Sequence, residues 1–512
     1  MLKLKKSKLV QMLMIVALSF SLLFSGCGKS SDTAASRSTP EDKSTNVAQS
    51  TAEASGLSPY EIKWYTIGTP QKDIDKVMEE LSKYTKEKIN ATIKMTQFDW
   101  GEYEKKMNVI IASGEKFDIA FTCSWALNYE MNAAKGSFLA VDELLDKYGK
   151  GIKEVMNPMF IDGNKINGKL YAIPVNKEIT QQRRFMFNKN LVDKYKFDVS
   201  KPMKLADLEP MLTTIKQNEK DILNIINCDM GNAPSLDKDG EYIAGDEKIP
   251  LRVWYDDTSL KVVNMLEDTT ILDNYKTLRK YYKAGFIKKD AATATMLDPI
   301  KSDRWFTGYG DWIPNADALW SRTYKAPVVT TAQRVDPYVT NGSISGSMMA
   351  ISAASKNPER AMMFLNLLNT DKYVRNLVDS GLEGVHYKME GDRQVDLEKG
   401  TSDYNMPTFS LGNRFILNLF KDDPADLWDQ YKKFNDTAKP SSLLGFKPNL
   451  EGLKTELGAL TNVAAEFSGL KFGMLDPDVY VKKFNDKLKA QGLDKVQAEL
   501  QKQVDAWKAS KK

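Results

Sequence analysis

Glu61-Ile62-Lys63-Trp64-Tyr65-Thr66-Ile67 alternates polar and apolar side chains with period two, the pattern of a strand with one buried face. Directly after it, Thr69-Pro70 offers a cap and a first helical position, and Ile74, Val77, Met78 and Leu81 then fall on one helical face. Residues 91–98 alternate again. Met107, Ile110 and Ile111 mark a second helix, stopped at Ser113-Gly114, and Phe117-Asp118-Ile119-Ala120-Phe121 reads as a third strand. This order predicts an α/β fold on a parallel sheet covered on both faces. In such sheets ligands sit outside the carboxyl ends of the strands, here Thr66 to Thr69, Asp99-Trp100 and Thr122 to Trp125.

Towards the N-terminus the chain changes character. Lys3, Lys5, Lys6 and Lys8 precede an apolar run over residues 9–24, the plan of a secretory signal and shorter than the ~20 residues of a spanning helix. Ser25-Gly26-Cys27 resembles the lipobox of bacterial lipoproteins, with Phe24 where leucine is usual. The resemblance implies cleavage before Cys27 and lipid on that cysteine, anchoring the protein to the outer face of the cell membrane. Residues 28–56, rich in Ser, Thr, Ala, Asp, Gln and Lys, lack the apolar surface to offset ordering and predict a flexible tether reaching roughly 30 Å.

The chain carries 72 Lys+Arg against 68 Asp+Glu; without the four lysines of the signal the balance is 68 against 68. Zero net charge gives no ground for nucleic-acid binding. About 480 residues exceed one ordinary core, so two lobes are expected. Cys123 and Cys228 are expected as buried thiols, with a disulfide between them the alternative.

At Asn167-Gly168-Lys169-Leu170-Tyr171-Ala172-Ile173-Pro174 a glycine turn, a short strand and a proline lead to Asn176, Lys177 and Glu178, then to a strand over Arg183–Asn188 and a helix at 191–195. This resembles the first crossover of the extracellular solute-binding proteins, family 1, which include the maltodextrin-binding proteins. Further matches keep the same order: residues 116–122 with Ala134-Lys135-Gly136-Ser137-Phe138-Leu139, residues 306–312 ending Gly310-Asp311-Trp312, residues 349–355 followed by Asn357-Pro358-Glu359-Arg360-Ala361, and Gly381 to Tyr387. Leu443-Leu444-Gly445-Phe446 and residues 476–507 resemble the C-terminal module of lipoprotein oligosaccharide-binding members. The resemblance implies a two-lobed periplasmic-binding-protein type II fold with a sugar held between the lobes. Its expected partition is a signal over 1–26, a tether over 27–57, one lobe from 58–174 and 346–400, and a second from 175–345 and 401–512.

Sugar recognition needs aromatic faces for pyranose C–H surfaces and fixed polar groups for hydroxyls. Trp125 follows the third strand, and Trp312 matches the family turn that supplies a stacking platform, with Trp320 and Arg322 close behind. Glu178 lies where the resemblance implies a hinge carboxylate reaching the sugar, flanked by Asn176 and Lys177. Trp64, Trp100 and Trp507 are assigned to core or surface, the commoner fate of tryptophan.

Other motifs lead nowhere. Gly342-Ser343-Ile344-Ser345-Gly346 lacks a serine at the nucleophile position. Asp237-Lys238-Asp239-Gly240-Glu241 misplaces the calcium-loop glycine and predicts an exposed hairpin instead. The single histidine, His386, cannot make a His-rich zinc site, and no phosphate loop occurs, so no metal or cofactor is expected and ATP hydrolysis falls to a partner. The leading expectation is a monomeric, non-enzymatic receptor that delivers an oligosaccharide to the permeases of an ABC importer. A surface glycosidase, which needs only paired carboxylates, and a sensory binding protein are the alternatives.

Overall fold

A computed structural model describes residues 56–226, 237–245, 247–291, 304–324 and 326–510. The signal, Cys27, nearly all of the tether and Cys228 lie outside these residues. The first lobe is built on a five-stranded sheet in the order Ala91–Phe98, Tyr60–Ile67, Ile119–Thr122, Met348–Ile351, Ala172–Pro174. The first three run parallel, as expected. The sheet is nevertheless mixed, because Met348–Ile351 returns from the second lobe and enters antiparallel to both its neighbours. Apolar clusters cover both faces: Ile62, Trp64, Ile93 and Met349 on one, Phe121, Ala172, Met348 and Ala350 on the other.

The first helix, Ile74–Ile89, starts later than the Thr69-Pro70 signal predicts, with Asp73 at the N-cap position. Asp73 is held by Lys76 and by the buried His386, whose Nε2 lies 3.3 Å from its carboxylate. The second helix, Tyr103–Ser113, ends where expected, at Gly114 with φ +71°, a conformation glycine adopts at no steric cost.

The second lobe carries a four-stranded sheet in the order Val328–Thr330, Arg183–Asn188, Trp305–Asp311, Asn224–Ile226. One face packs Phe185, Phe187 and Tyr309 into a large core; the other packs Met186 and Trp305 against Trp320 and Tyr324. The C-terminal helices Lys454–Glu466, Pro477–Ala490 and Leu493–Ser510 insert Leu460, Leu488, Val496 and Leu500 into the large core, so the C-terminal module is part of the second lobe. Gly473 fixes its approach: a Cβ there would lie 2.1 Å from the Leu278 carbonyl oxygen.

Three passages of chain join the lobes, and their strands Thr180–Gln181, Tyr338–Val339 and Lys439–Pro440 pair into a small hinge sheet. The expected crossings near Pro174 and Ser345 fall short of the hinge strands, because Val175, Ile179, Val339 and Ile344 still pack in the first-lobe core. Tyr404, Met406 and Leu411 still pack in the first-lobe core, so the third passage starts after Leu411. The hairpin of Gly240–Tyr242 with Leu251–Trp254 forms, but Glu241 is buried in it rather than exposed. Among the described residues no helix is long and apolar enough to cross a membrane.

Candidate functional site

The Thr122, Met348 and Pro174 ends of the first sheet and the Arg183 and Asp311 end of the second lie next to the passages that form the hinge. In the first lobe, Ile119–Thr122 runs into a tight turn in which the Cys123 amide donates to the Ala126 carbonyl and the Cys123 thiol accepts from the Ala126 amide. Leu127 closes this turn at φ +44°. Burial pushes the Cys123 thiol well above its ordinary range, which makes it a structural rather than a reactive group. The turn projects Trp125, whose ring is half exposed at 48 %. Its indole N–H donates to the Gly346 carbonyl (2.8 Å), and the Ser124 amide donates to the Ser345 carbonyl, so the turn leans on the second passage.

Two more rings complete an aromatic wall. Trp100, just past the end of strand Ala91–Phe98, lies 6.4 Å from Trp125 with planes 25° apart. Phe409, from the segment before the third passage, stacks on Trp100 at 6.0 Å and 22°. Ser347 donates to the Phe409 carbonyl and fixes that segment. Trp125 and Phe409 are themselves 6.3 Å apart and tilted by 46°, so the three rings form a bent aromatic cluster of the kind a pyranose C–H face can pack on.

In the second lobe, strand Trp305–Asp311 ends at the hinge. The Trp312 amide donates to the Gln182 carbonyl in the first passage (2.7 Å). One face of the Trp312 ring is capped by the Arg184 guanidinium at 3.6 Å, and Phe434 meets its edge. Burial lowers the Arg184 pKa to about 10. Directly beside Trp312, the register partners Arg183 and Asp311 form an ion pair of 2.9 Å. Tyr309 and Tyr255 act on the Arg183 guanidinium; Tyr255 lies 5.1 Å from Tyr338, and Tyr309 also acts on Arg334, which pairs with Asp239.

The other expected residues are engaged elsewhere. Glu178 is not an open carboxylate: its Oε2 takes a hydrogen bond from Arg414 (2.9 Å), and its Oε1 lies 3.6 Å from Lys177. Both partners of the Arg414 pair are enclosed, at 14 % and 11 % side-chain exposure. Burial acts to raise the Glu178 pKa, but Lys177 and Arg414 outweigh it and hold the group below the usual carboxylate range. Asn176 is buried, donating to the Val155 carbonyl and accepting from the Arg414 amide. Lys177 donates to the Glu178 carbonyl. Trp320 is a core residue. Arg322 pairs with Asp423 and lies over Phe420. Among the described residues, no cluster of three or more His, Cys, Asp or Glu could hold a metal.

Residues 81–382 match the family model described as a bacterial extracellular solute-binding protein, and 442–509 match a domain of unknown function (DUF3502). The chain belongs to the bacterial extracellular solute-binding protein family. A carbohydrate ABC transporter substrate-binding protein of Streptococcus pneumoniae is 33 % identical over 479 residues, which covers 90 % of this chain and 93 % of that one. Among solved structures, the N-glycan transport solute binding protein NgtS of the same species superposes with TM-score 0.79 at 32 % identity, covering 89 % of this chain and all of that one. Its complex with Man5GlcNAc gives TM-score 0.78 at 33 % identity, again over 89 % of this chain and 100 % of that one. These likenesses bear out the two-lobed α/β reading and the assignment to solute-binding proteins of ABC transporters.

The aromatic wall is only partly legible in the sequence. Trp125 is, from its place after a strand. Trp100, expected in core or surface, packs partly buried against the first-lobe cluster and from there reaches Trp125. No local pattern points to Phe409, Arg183 or Tyr255, and Asp311 stands in the Gly310-Asp311-Trp312 turn without being singled out.

Proposed function

We propose that this protein is a lipid-tethered receptor on the outer face of the cell membrane that closes its two lobes on an oligosaccharide and delivers it to the permeases of an ATP-driven importer. The observation that carries this reading is the half-exposed Trp125 backed by the partly buried rings of Trp100 and Phe409 beside the hinge, at the strand end where α/β ligands bind. The inner sides of these rings pack on the first-lobe core, and the exposed part of Trp125 suits a sugar C–H face. Support comes also from relatives whose names give carbohydrate and N-glycan as cargo. A binding role without catalysis fits those substrate-binding relatives. Hinge closure around the ligand follows from the three-stranded hinge sheet, and Lys447 of the second lobe already meets Glu130 of the first at 2.9 Å.

Two experiments test this reading. A thermal-shift screen of soluble glycans against protein starting at Ser58 should find neutral oligosaccharides that stabilise it, by roughly 2.7 kcal/mol at a hundredfold excess over Kd. A screen with amino acids and peptides as hits and glycans inert would contradict the carbohydrate reading. In cells, Cys27→Ala should move the protein from the membrane fraction to the medium; full retention would contradict the lipid anchor.

A further inference from the structure

The most informative unassigned group is the Arg183–Asp311 pair. Its members are opposite each other in the register of two antiparallel strands, so their positions are fixed by the sheet. Arg183 Nε donates to Asp311 Oδ1 at 2.9 Å, and the side chains remain 46 % and 52 % exposed. The pair sits at the carboxyl end of strand Trp305–Asp311, next to the hinge strand Thr180–Gln181 and next to Trp312. Tyr309 and Tyr255 add their oxygens to the field around the guanidinium.

The pair uses one guanidinium N–H and one carboxylate oxygen on each other. Its remaining N–H groups form a planar donor fork and its second oxygen an acceptor, side by side and already oriented. Adjacent hydroxyls of a sugar each accept one hydrogen bond and donate another, which is the complementary pattern. We propose that Arg183 and Asp311 together read a vicinal diol and restrict this cleft to uncharged sugars. This deepens the carbohydrate reading above and rests on it. The charge balance sets the selectivity: Arg183 faces Asp311, and the neighbouring Arg334 faces Asp239 at 3.3 Å. A ligand carboxylate on the remaining fork would lie beside the Asp311 carboxylate, two anions sharing one guanidinium, whereas hydroxyls leave the pair charge-balanced.

The test uses calorimetric titration of the protein starting at Ser58 with Man5GlcNAc and with the same oligosaccharide oxidised to a uronate at one terminal C6. Wild type should bind the neutral glycan at least a hundredfold more tightly. Asp311→Asn should weaken neutral binding by about tenfold or more and shrink the neutral-to-acidic ratio by at least tenfold, because Arg183 is then free for the carboxylate. Arg183→Gln should weaken neutral binding by about a hundredfold, and Arg183→Lys, which keeps the charge but loses the fork, should recover only part of it. Melting curves of each variant establish folding, and Arg183→Lys serves where Arg183→Gln does not fold. Wild-type neutral affinity retained in Asp311→Asn and Arg183→Lys, or equal binding of both glycans by wild type, overturns the proposal while leaving carbohydrate binding in place. Absence of any glycan binding by wild type, from this pair or any other sugar tried, instead removes the carbohydrate reading and this proposal with it.

Discussion

Glu178→Gln is expected to lower fold stability by about 3 kcal/mol while leaving glycan affinity nearly unchanged. Removing one member of an enclosed ion pair strands the other, and such losses run to about 3–5 kcal/mol. Here the stranded group would be Arg414, which also lies over the Tyr431 ring at 4.9 Å and whose amide is bound to the Asn176 carbonyl. The pair therefore ties the first passage to the third. Asn435 ties the same two segments, accepting from the Ile179 amide and donating to the Lys177 carbonyl. The expected pH dependence has a definite sign. A carboxylate whose folded pKa is depressed contributes stability above its unfolded value, about 4.3, and loses it as pH falls through the lower folded value. The stability gap between wild type and Glu178→Gln should therefore be full at neutral pH and shrink below about pH 4. Denaturant melts across that range check this; a constant gap, or normal stability with lost affinity, would restore Glu178 to the ligand site.

Trp125→Ala should do the reverse. A stacking ring that is half exposed contributes contact area to the ligand more than to the core, so affinity should fall by about 2–4 kcal/mol and stability by about 1 kcal/mol or less. Trp100→Ala should also lower affinity, but at a larger cost in stability, because that ring packs partly buried against the first-lobe core. Trp320→Ala provides the contrast. Its ring is buried against Trp305 and Tyr324, and truncation should cost about 3–5 kcal/mol of stability. Paired titrations and melts on the three variants separate site from core. A collapsed melt for Trp125→Ala with normal affinity would assign that ring to packing.

How much of this was legible in the chain depends on range. The strands read at 61–67 and 91–98 follow from local alternation, and the one at 183–188 from its place after the crossover motif; the structure has strands at Tyr60–Ile67, Ala91–Phe98 and Arg183–Asn188. The helix at 103–113 has its own stop signal in Gly114. By contrast, the antiparallel entry of Met348–Ile351 depends on where the chain returns from the second lobe, which no local pattern encodes. The same holds at the site. Trp125 is readable because its position follows a strand directly. The fate of Glu178 is not, because its partner Arg414 is 236 residues away. A glutamate beside a hinge looks equally like a sugar ligand and like half of an ion pair until that partner is in place. Trp312 lies between these cases: its turn is local, but the guanidinium on its face comes from a neighbouring strand.

The central claim is that the two lobes clamp an oligosaccharide between them. Small-angle scattering on the protein starting at Ser58, alone and saturated with a glycan that stabilises it, tests this most directly. The three-passage hinge predicts a smaller radius of gyration in the saturated sample. Identical profiles at proven saturation would contradict closure and leave a rigid binding module in its place.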